Sequence, residues 1–450
     1  MNKKDLINKI IMYISIIVFA ILTIWKLQHH FPWSDEAGAW LIAQNMDFGN
    51  VLQILKREGH FIIWYLLIMP FAKLSLNYPQ PMFIINWMAY ITAIIIMWKK
   101  APFDNVIKII ITFSWLSLNY FPIVARCYSI GILGLFILAS MYDNQIKKPY
   151  LYSIILVLTA HTSLLATLAV VPLTGIFIYD LLKNRNELER KNIIYPLIIL
   201  AIGIFFWFLP FMHGYGYSSG DIYAKADFFY ILKFFKHNNH YYYLCCYLLT
   251  AISILVFAKN KIRFFTIFTI ISFILFFSFI FSAAEHHSIF LILYLILSLW
   301  LTPKLHHINI KTIPFLILLC YLLFCNLENK MHYIYARPSK IEVIKYIKDQ
   351  QANGYIFLIW DEIQILPYFQ DYKYEIISKE SQQYPRLLSS YIKNYLKKNK
   401  KYQKAYLITR NKINKSSKEI ICFSKSKRIK LYVTIFASSK PKNTNLLKLH

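Results

Sequence analysis

The chain has 450 residues, of which 57% are hydrophobic and only 16% are charged, and it carries a formal net charge of +28. Soluble domains contain roughly 45–50% apolar and about 25% charged residues, so the composition excludes an ordinary soluble protein. The apolar residues come in blocks of about 16–20, the length that a helix needs to cross a bilayer. The composition therefore predicts an α-helical polytopic membrane protein.

The basic residues do not indicate a nucleic-acid partner. They lie mostly in short loops between apolar blocks, where they orient membrane helices, and in a lysine-rich tail. No DNA-binding helix, zinc finger or RNA-binding signature accompanies them. The 6 cysteines are too scattered for a disulfide framework or a zinc site.

The first apolar block spans residues 10–27 and follows Lys3, Lys4 and Lys9. A cleaved signal peptide also begins in this way, but no small-residue cleavage site follows this block. We therefore predict an uncleaved first transmembrane helix with a cytoplasmic N-terminus.

The later spans depend on the apolar run Phe61–Leu76. If this run lies in the membrane interface instead of crossing, each later basic loop falls on the cytoplasmic side. This assignment predicts about eleven transmembrane helices and a C-terminus outside the cytoplasm. The predicted spans after the first are Met82–Trp98, Asn105–Phe121, Ser129–Tyr142, a hairpin over Tyr150–Leu182, Ile193–Phe211, Tyr241–Ala258, Phe264–Phe281, Ser288–Leu301 and Thr312–Asn326.

The composition changes at about Glu328, where apolar blocks stop and short strand-like runs alternate with helical patterns. This pattern predicts a small extracytoplasmic α/β domain over residues 328–450, after a transmembrane domain over residues 1–327 with a large first external loop at residues 28–81. The predicted strands are Tyr355–Trp360, Tyr374–Ile377, Ala405–Thr409, Glu419–Cys422 and Ile429–Phe436, and the predicted helices are Ser339–Lys348 and Tyr384–Lys397.

The predicted topology gathers a set of ionisable residues on the non-cytoplasmic side. Such groups near membrane depth are costly and suggest function. They are Asp35, Glu36, Glu58, His60, Arg126, His161, His213, Asp221, Glu285, His286 and His287.

The sharpest motif in this set is Trp33-Ser-Asp35-Glu36-Ala37-Gly-Ala-Trp40, directly after the first helix. One carboxylate of an adjacent pair can act as a general base while the other orients the acceptor or holds a cation. The alternative is a helix N-terminus with Ser34 as N-cap and acidic residues in the first turn. Both interpretations can hold together.

The other motifs are shorter, and each has a structural alternative. Arg126 can bind phosphate through its planar fork of donors, or it can be an interfacial residue that reaches the headgroups. His286 and His287 can bind phosphate, shuttle protons or ligate a metal, or they can simply lie at the interface. Glu58-Gly59-His60 is also typical of a loop that leads into a helix.

Together these residues resemble the GT-C superfamily of membrane glycosyltransferases, which includes protein O-mannosyltransferases and the aminoarabinose transferases of lipid A. The chain departs from the family pattern at Phe61 and Ile62, where prolines are common, and at Glu285, where an arginine is common. The four motifs that carry the resemblance are Asp35-Glu36, Glu58-Gly59-His60-Phe61, Arg126-Cys127-Tyr128 and Glu285-His286-His287.

The resemblance implies a GT-C-like fold and inverting transfer of a hexose or pentose from a polyprenyl-phosphate carrier. The reaction would take place at the outer face of the cytoplasmic membrane, with a glycan, lipid or protein acceptor. Asp35 would be the catalytic base and Glu36 its helper. Arg126, with His286 or His287, would neutralise the departing phosphate, and His60 and Tyr128 would complete the substrate site.

A divalent metal is compatible with this chemistry, but no ligand set stands out, so we predict no metal ligands. The rival interpretations are a transporter or lipid-carrier flippase, and a non-catalytic scaffold. A transporter would be expected to bury charges in broken helices at mid-membrane, with pseudo-repeats, and neither is clear in this sequence.

Overall fold

The computed structural model describes residues 3–55, 61–74, 76–212, 241–279, 287, 289–308, 312–318, 341–349, 354–359, 365–369, 373–377, 391–393, 395–396, 398–399, 404–409, 418–423 and 428–437. Over these residues the protein is mostly helical, with one small sheet, and it forms two compact units. The first unit comprises Met1–Gln28, Met46–Pro70 and Gln80–Lys330, and the second comprises His29–Asn45, Phe71–Pro79 and Met331–His450.

The helices alternate with short loops along the chain. They are α1 (Lys3–Gln28), α2 (Ser34–Asn45), α3 (Phe48–Ile54), α4 (Ile62–Lys73), α5 (Gln80–Lys100), α6 (Asn105–Phe113), α7 (Tyr128–Met141), α8 (Pro149–Ala160), α9 (Leu164–Lys183), α10 (Arg190–Met212), α11 (Tyr241–Phe257), α12 (Asn260–Phe279), α13 (Ile289–Trp300) and α14 (Ile341–Lys348).

Five of the helices found in the described residues are long and apolar enough to cross a membrane. A span needs about 20 residues at 1.5 Å per residue. The prediction of a helical membrane protein is confirmed at this level, and the hairpin predicted over Tyr150–Leu182 is present as α8 and α9. The five helical segments are Asp5–Gln28, Gln80–Lys100, Leu164–Lys183, Arg190–Pro210 and Asn260–Phe279.

The segment predicted as a continuous span over Asn105–Phe121 is broken in the structure. Helix α6 ends at Phe113, and a π-helical turn follows over Leu116–Tyr120. Ser114 Oγ and Ser117 Oγ donate to the Ile111 carbonyl at 2.8 and 2.7 Å. Serine side chains that bond to the backbone in this way compete with the helical ladder, which explains the break.

The basic loops of the first unit meet at one end of its helices, which we call the basic end. Asn105 Nδ2 donates to Asn8 Oδ1 at 2.8 Å and so joins the start of α6 to the start of α1. Asp180, near the end of α9, accepts from Gln145 at 2.8 Å and pairs with Lys261 at the start of α12. These contacts bring together loops that carry lysines and arginines from distant parts of the sequence.

Glycines allow close packing of α7, α8 and α10. A Cβ atom added at Gly134 would collide with Thr159 on α8, and one added at Gly203 would collide with Val157 on the same helix. Small residues at such crossings let helix backbones approach closely within a membrane. Helix α8 is therefore fixed between its neighbours, together with the turn that follows it.

The second unit contains a mixed five-stranded sheet in its described residues, with strand order β2-β1-β3-β5-β4. Strand β1 pairs parallel with β2 and β3, and β5 pairs antiparallel with β3 and β4. All five strands predicted from the sequence are present within a residue or two of their predicted ends. The strands are β1 (Gly354–Ile359), β2 (Lys373–Ile377), β3 (Lys404–Thr409), β4 (Lys418–Phe423) and β5 (Arg428–Ala437).

The core of this unit forms around β3. Residues Ala405 to Ile408 of this strand are all buried, as expected for a central strand that is covered on both faces. Val343 and Ile347 of α14 are buried as well. Two segments of the loop predicted at residues 28–81, His29–Asn45 and Phe71–Pro79, belong to this compact unit.

Candidate functional site

The acidic pair Asp35-Glu36 lies in the first turn of α2. Ala37 N–H donates to the Trp33 carbonyl at 2.9 Å, which makes Trp33 the N-cap residue and Ser34 the first helical residue. Glu36 Oε2 accepts from the Trp33 N–H at 2.6 Å, so the third residue of the helix reaches back to the N-cap backbone. This is one half of a capping box. The suggestion that Ser34 is the N-cap is therefore wrong by one position.

The two carboxylates have different environments. Asp35 is exposed, whereas Glu36 is fully buried. His30 Nε2 lies 2.9 Å from Glu36 Oε2 and 3.3 Å from Oε1. A buried carboxylate of this kind needs hydrogen bonds in place of water, and His30 with the Trp33 N–H provides them. Glu36 thereby fixes the turn from which Asp35 projects.

Aromatic rings enclose this turn within the second unit. The Tyr78 ring packs at 5.3 Å from Trp40 and at 5.1 Å, edge on, from Tyr368. Phe31 stacks on Tyr368 with ring centroids 6.2 Å apart. Burial raises the pKa of Tyr78 and of Tyr368, and the negative charge of Glu36 raises both further. Both phenols therefore stay protonated and can donate hydrogen bonds at neutral pH.

The Arg126 loop lies in the first unit, after the π-helical turn. The Phe121 carbonyl accepts from Asn86 Nδ2 at 2.8 Å and from Ser129 Oγ at 2.7 Å. Pro122 follows at once and cannot continue the helical ladder, because it lacks an N–H. Side chains from α5 and α7 thus anchor the start of the loop that carries Arg126.

Arg126 is held over an aromatic ring. Its guanidinium lies 5.4 Å from the Tyr128 ring centroid, in a cation–π arrangement, and the side chain is only 9% exposed. The Tyr128 ring packs edge on against Phe290 of α13 at 5.1 Å. His287, which precedes α13, is buried and stacks on Phe277 at 5.0 Å. The structure thus packs Arg126 and Tyr128 against the start of α13, and His287 lies directly before that helix.

His161 lies in the turn between α8 and α9. Its Nδ1 donates to the Val157 carbonyl at 2.8 Å, which leaves Nε2 as the acceptor nitrogen of the neutral ring. Burial lowers the pKa of His161, although the hydrogen bond to Val157 opposes this effect. The backbone of the same turn accepts from Phe61 N–H at 3.1 Å and Ile63 N–H at 3.3 Å. The entry to α4 is therefore tied to this turn.

An apolar cleft of about 320 Å³ opens beside His161. Helices α8, α9 and α10 line it, and Trp207 donates to Thr167 Oγ1 at 3.3 Å along its wall. The lining is almost entirely aliphatic or aromatic. Such a cleft suits a hydrocarbon chain, with His161 as a polar group at its margin.

Several residues of interest were not singled out by sequence reasoning. Lys26, at the end of α1, is buried and hydrogen-bonded to Asn119 of the π-helical turn. His30, Tyr78 and Tyr368 surround the predicted acidic pair. The signal for Lys26 was present, since a lysine near the end of an apolar helix, far from the basic loops, is unusual. Tyr78 and Tyr368 come from distant segments and carry no local signal, whereas His30 lies only 6 residues before Glu36.

Predicted residues that lie outside the described residues are Glu58, His60, His213, Asp221, Glu285 and His286. Within the part of the chain that the structure describes, no three or more His, Cys, Asp or Glu side chains converge as metal ligands.

A scan against protein-family models matches none of them, and comparisons of the chain with curated proteins and with solved structures likewise find no match.

Proposed function

We propose that this protein is a membrane glycosyltransferase that moves a sugar from a polyprenyl-phosphate carrier to an acceptor at the outer face of the cytoplasmic membrane. The GT-C-like fold, the position of the reaction on the outer side of the membrane and the transfer chemistry are all parts of this proposal. The resemblance carried by Asp35-Glu36 and Arg126-Cys127-Tyr128 motivates it.

The observation that carries the proposal is the placement of Arg126. The helical segments before Arg126 begin at Asn105, on the basic end. Arg126 follows them and is therefore separated by their length from the basic loops, whose charges are explained by helix orientation alone. It is nearly buried and fixed over Tyr128. A buried guanidinium is expensive to maintain and is suited to bind a phosphate through two parallel hydrogen bonds.

Two further features support the proposal. The apolar cleft beside His161 offers a wall for the prenyl chain of a lipid-linked donor. The exposure of Asp35, beside the buried pair of Glu36 and His30, offers a carboxylate that a substrate can reach on a turn that is held in place. In this proposal Glu36 is a positioning residue, because its oxygens are bonded to His30 and Trp33.

The proposed reaction is a single displacement. Asp35 accepts the proton of the acceptor hydroxyl or amine as the acceptor atom attacks the anomeric carbon. The bond between that carbon and the phosphate oxygen breaks, and the electron pair leaves with the polyprenyl phosphate. Arg126, with His287 or His286, stabilises the charge on the leaving group. Attack opposite the leaving group inverts the configuration of the sugar.

The decisive experiment compares the glycoconjugates of cells that lack the protein with those of complemented cells. We expect one sugar to be missing from one glycoconjugate, with its lipid-linked precursor accumulating. Wild-type protein should restore the sugar, and Asp35→Asn should not. The matched control is Asp143→Asn, the same exchange at an exposed carboxylate on the basic end, which should restore it fully.

The proposal would be contradicted if the deletion strain had unchanged glycoconjugates. This comparison requires equal growth and a detection limit of a few per cent of the wild-type signal. Unchanged glycoconjugates would favour transport or scaffolding instead. Full restoration by Asp35→Asn would show that the Asp35 carboxylate is not needed for transfer. It would not contradict the proposal that the protein is a transferase.

A further inference from the structure

The basic end of the first unit contains a second, unrelated cavity. It has a volume of about 610 Å³ and lies among the start of α1, the end of α5 and the start of α6. Lys9, Lys99 and Lys108 line it, one from each helix. The Asn8–Asn105 hydrogen bond of 2.8 Å joins α1 to α6 at its edge. We call this cavity the lysine pocket.

We infer that the lysine pocket binds the phosphate headgroup of an anionic membrane phospholipid. The proposed glycosyl transfer does not use this pocket, and the inference does not depend on it. Three lysines from separate helices converge on one cavity of half-polar lining, at the level where the long apolar helices α1 and α5 begin and end. Basic pockets between transmembrane helices bind anionic lipid headgroups on the cytoplasmic side.

The three lysines are held differently. Lys108 is half-buried and donates to the Trp98 carbonyl at 3.0 Å, with its ammonium 6.0 Å from the Trp98 ring centroid. Lys9 and Lys99 are exposed side chains, so a headgroup can reach both of them. One half-buried and two exposed ammonium groups suit a compact anion such as a phosphodiester, which accepts several hydrogen bonds at once.

Asp104 also lines the pocket, and its charge is directed elsewhere. Its Oδ1 lies 2.9 Å from His307 Nδ1, and its Oδ2 accepts from the Ile308 N–H at 2.9 Å. Although partial burial would raise the pKa of Asp104, these two hydrogen bonds and the positive charges of His307 and Lys108 outweigh it and lower that pKa. The Asp104 carboxylate stays ionised, but the three lysines outnumber it, so the net charge of the pocket is positive.

The source of the phosphate is a lipid rather than a soluble anion. Met12 and Tyr13 line the same cavity on α1, and the Tyr13 side chain is 57% exposed on a membrane-length helix. Apolar residues at the margin of the pocket can contact the acyl chains below a headgroup. A site for a free phosphate would gain nothing from such residues.

The test uses the purified full-length protein in neutral detergent. Native mass spectrometry and thermal unfolding would follow the addition of phosphatidylglycerol, phosphatidylcholine, glycerol phosphate or inorganic phosphate. We expect phosphatidylglycerol to be retained and to raise the unfolding temperature. The other three additives should do neither at equal concentration.

The variant pair Lys9→Gln/Lys99→Gln should weaken phosphatidylglycerol binding by about 25-fold, because each lysine near a headgroup contributes about fivefold. These side chains are exposed, so the variant should fold. The matched control is Lys147→Gln/Lys148→Gln, two exposed lysines on the basic end outside the pocket, which should change binding less than twofold. Lys108→Gln should weaken binding as well.

Three outcomes would overturn the inference. Equal weakening in the Lys147/Lys148 control would mean general surface attraction instead of a pocket. Competition by inorganic phosphate at equal concentration would assign the site to a soluble anion. Equal retention of phosphatidylcholine would show that charge is not what the site recognises.

Discussion

His30 and Glu36 form a hydrogen-bonded pair whose side chains have no exposed surface, with His30 Nε2 2.9 Å from Glu36 Oε2. The pair closes the turn that leads into α2. Neither group could be buried alone at an acceptable cost, so each depends on the other. Asp35, next in sequence to Glu36, is exposed on the same turn.

Loss of Glu36 should therefore destabilise the second unit. Glu36→Ala removes the acceptor for the Trp33 N–H and leaves His30 buried without this carboxylate. Breaking a buried pair in this way costs about 3 kcal/mol. Thermal or denaturant unfolding of the purified protein would measure the loss. The control Asp35→Ala, at the exposed neighbour, should change stability by less than about 0.5 kcal/mol. Equal losses in both variants would contradict a special role for the buried pair.

Arg126→Lys should lower the rate of sugar transfer although it keeps the positive charge. Lysine lacks the planar fork that binds two phosphate oxygens at once and that packs over Tyr128. Loss of such a stabilising contact to a developing charge typically costs about 100-fold in kcat. Steady-state transfer from a lipid-linked donor would measure it. Arg263→Lys, the same exchange at an exposed arginine on the basic end, should keep the wild-type rate.

Asn86 and Ser129 should act together in positioning the Arg126 loop. Asn86→Leu and Ser129→Ala each leave the Phe121 carbonyl with one of its two side-chain donors, and the double variant removes both. Each single change should cost about 1 kcal/mol, and the double variant should lose more than the sum, since a buried carbonyl is then left unsatisfied. Unfolding measurements on the four proteins give the coupling. Thr92→Val, at an exposed hydroxyl on α5 that bonds to the Met88 carbonyl, serves as the control. Strict additivity would argue against the shared anchor.

The proposed sidedness can be tested with an impermeant thiol reagent on intact cells, in a background without the 6 native cysteines. A cysteine at Ser34, beside Asp35, should react from outside. A cysteine at the exposed Arg185, in the loop after α9, should react only after the membrane is opened. The reverse pattern would invert the topology and move Asp35 to the cytoplasmic side.

The sequence was most informative where a local pattern determines the structure. The five strands after residue 353 were predicted because short apolar runs, alternating or continuous and bounded by polar residues, are typical of strands. The hairpin of α8 and α9 was visible as a long apolar block, with Ser163 as the N-cap of α9. Composition alone was enough to indicate helices of membrane length.

The sequence was least informative about local breaks within apolar helices and about contacts between distant segments. The break in the span predicted over Asn105–Phe121 depends on Ser114 and Ser117 turning back to one carbonyl, and serines inside an apolar run do this only in some helices. The enclosure of Glu36 depends on Tyr78 and Tyr368, which belong to separate parts of the chain. Adjacent carboxylates predicted a site, but not which of the two is buried.

The enclosure of the Glu36 turn also sets an order of events during biosynthesis. Phe31 and Tyr78 leave the ribosome early, whereas Tyr368, which packs against both, follows Tyr78 by roughly 290 residues. At about 5–20 residues per second, this interval lasts about 15–60 s. During this time the loop lacks one wall of its aromatic enclosure. Nascent chains stalled before residue 365 should therefore expose this loop to proteases, and completion of the C-terminal sheet should protect it.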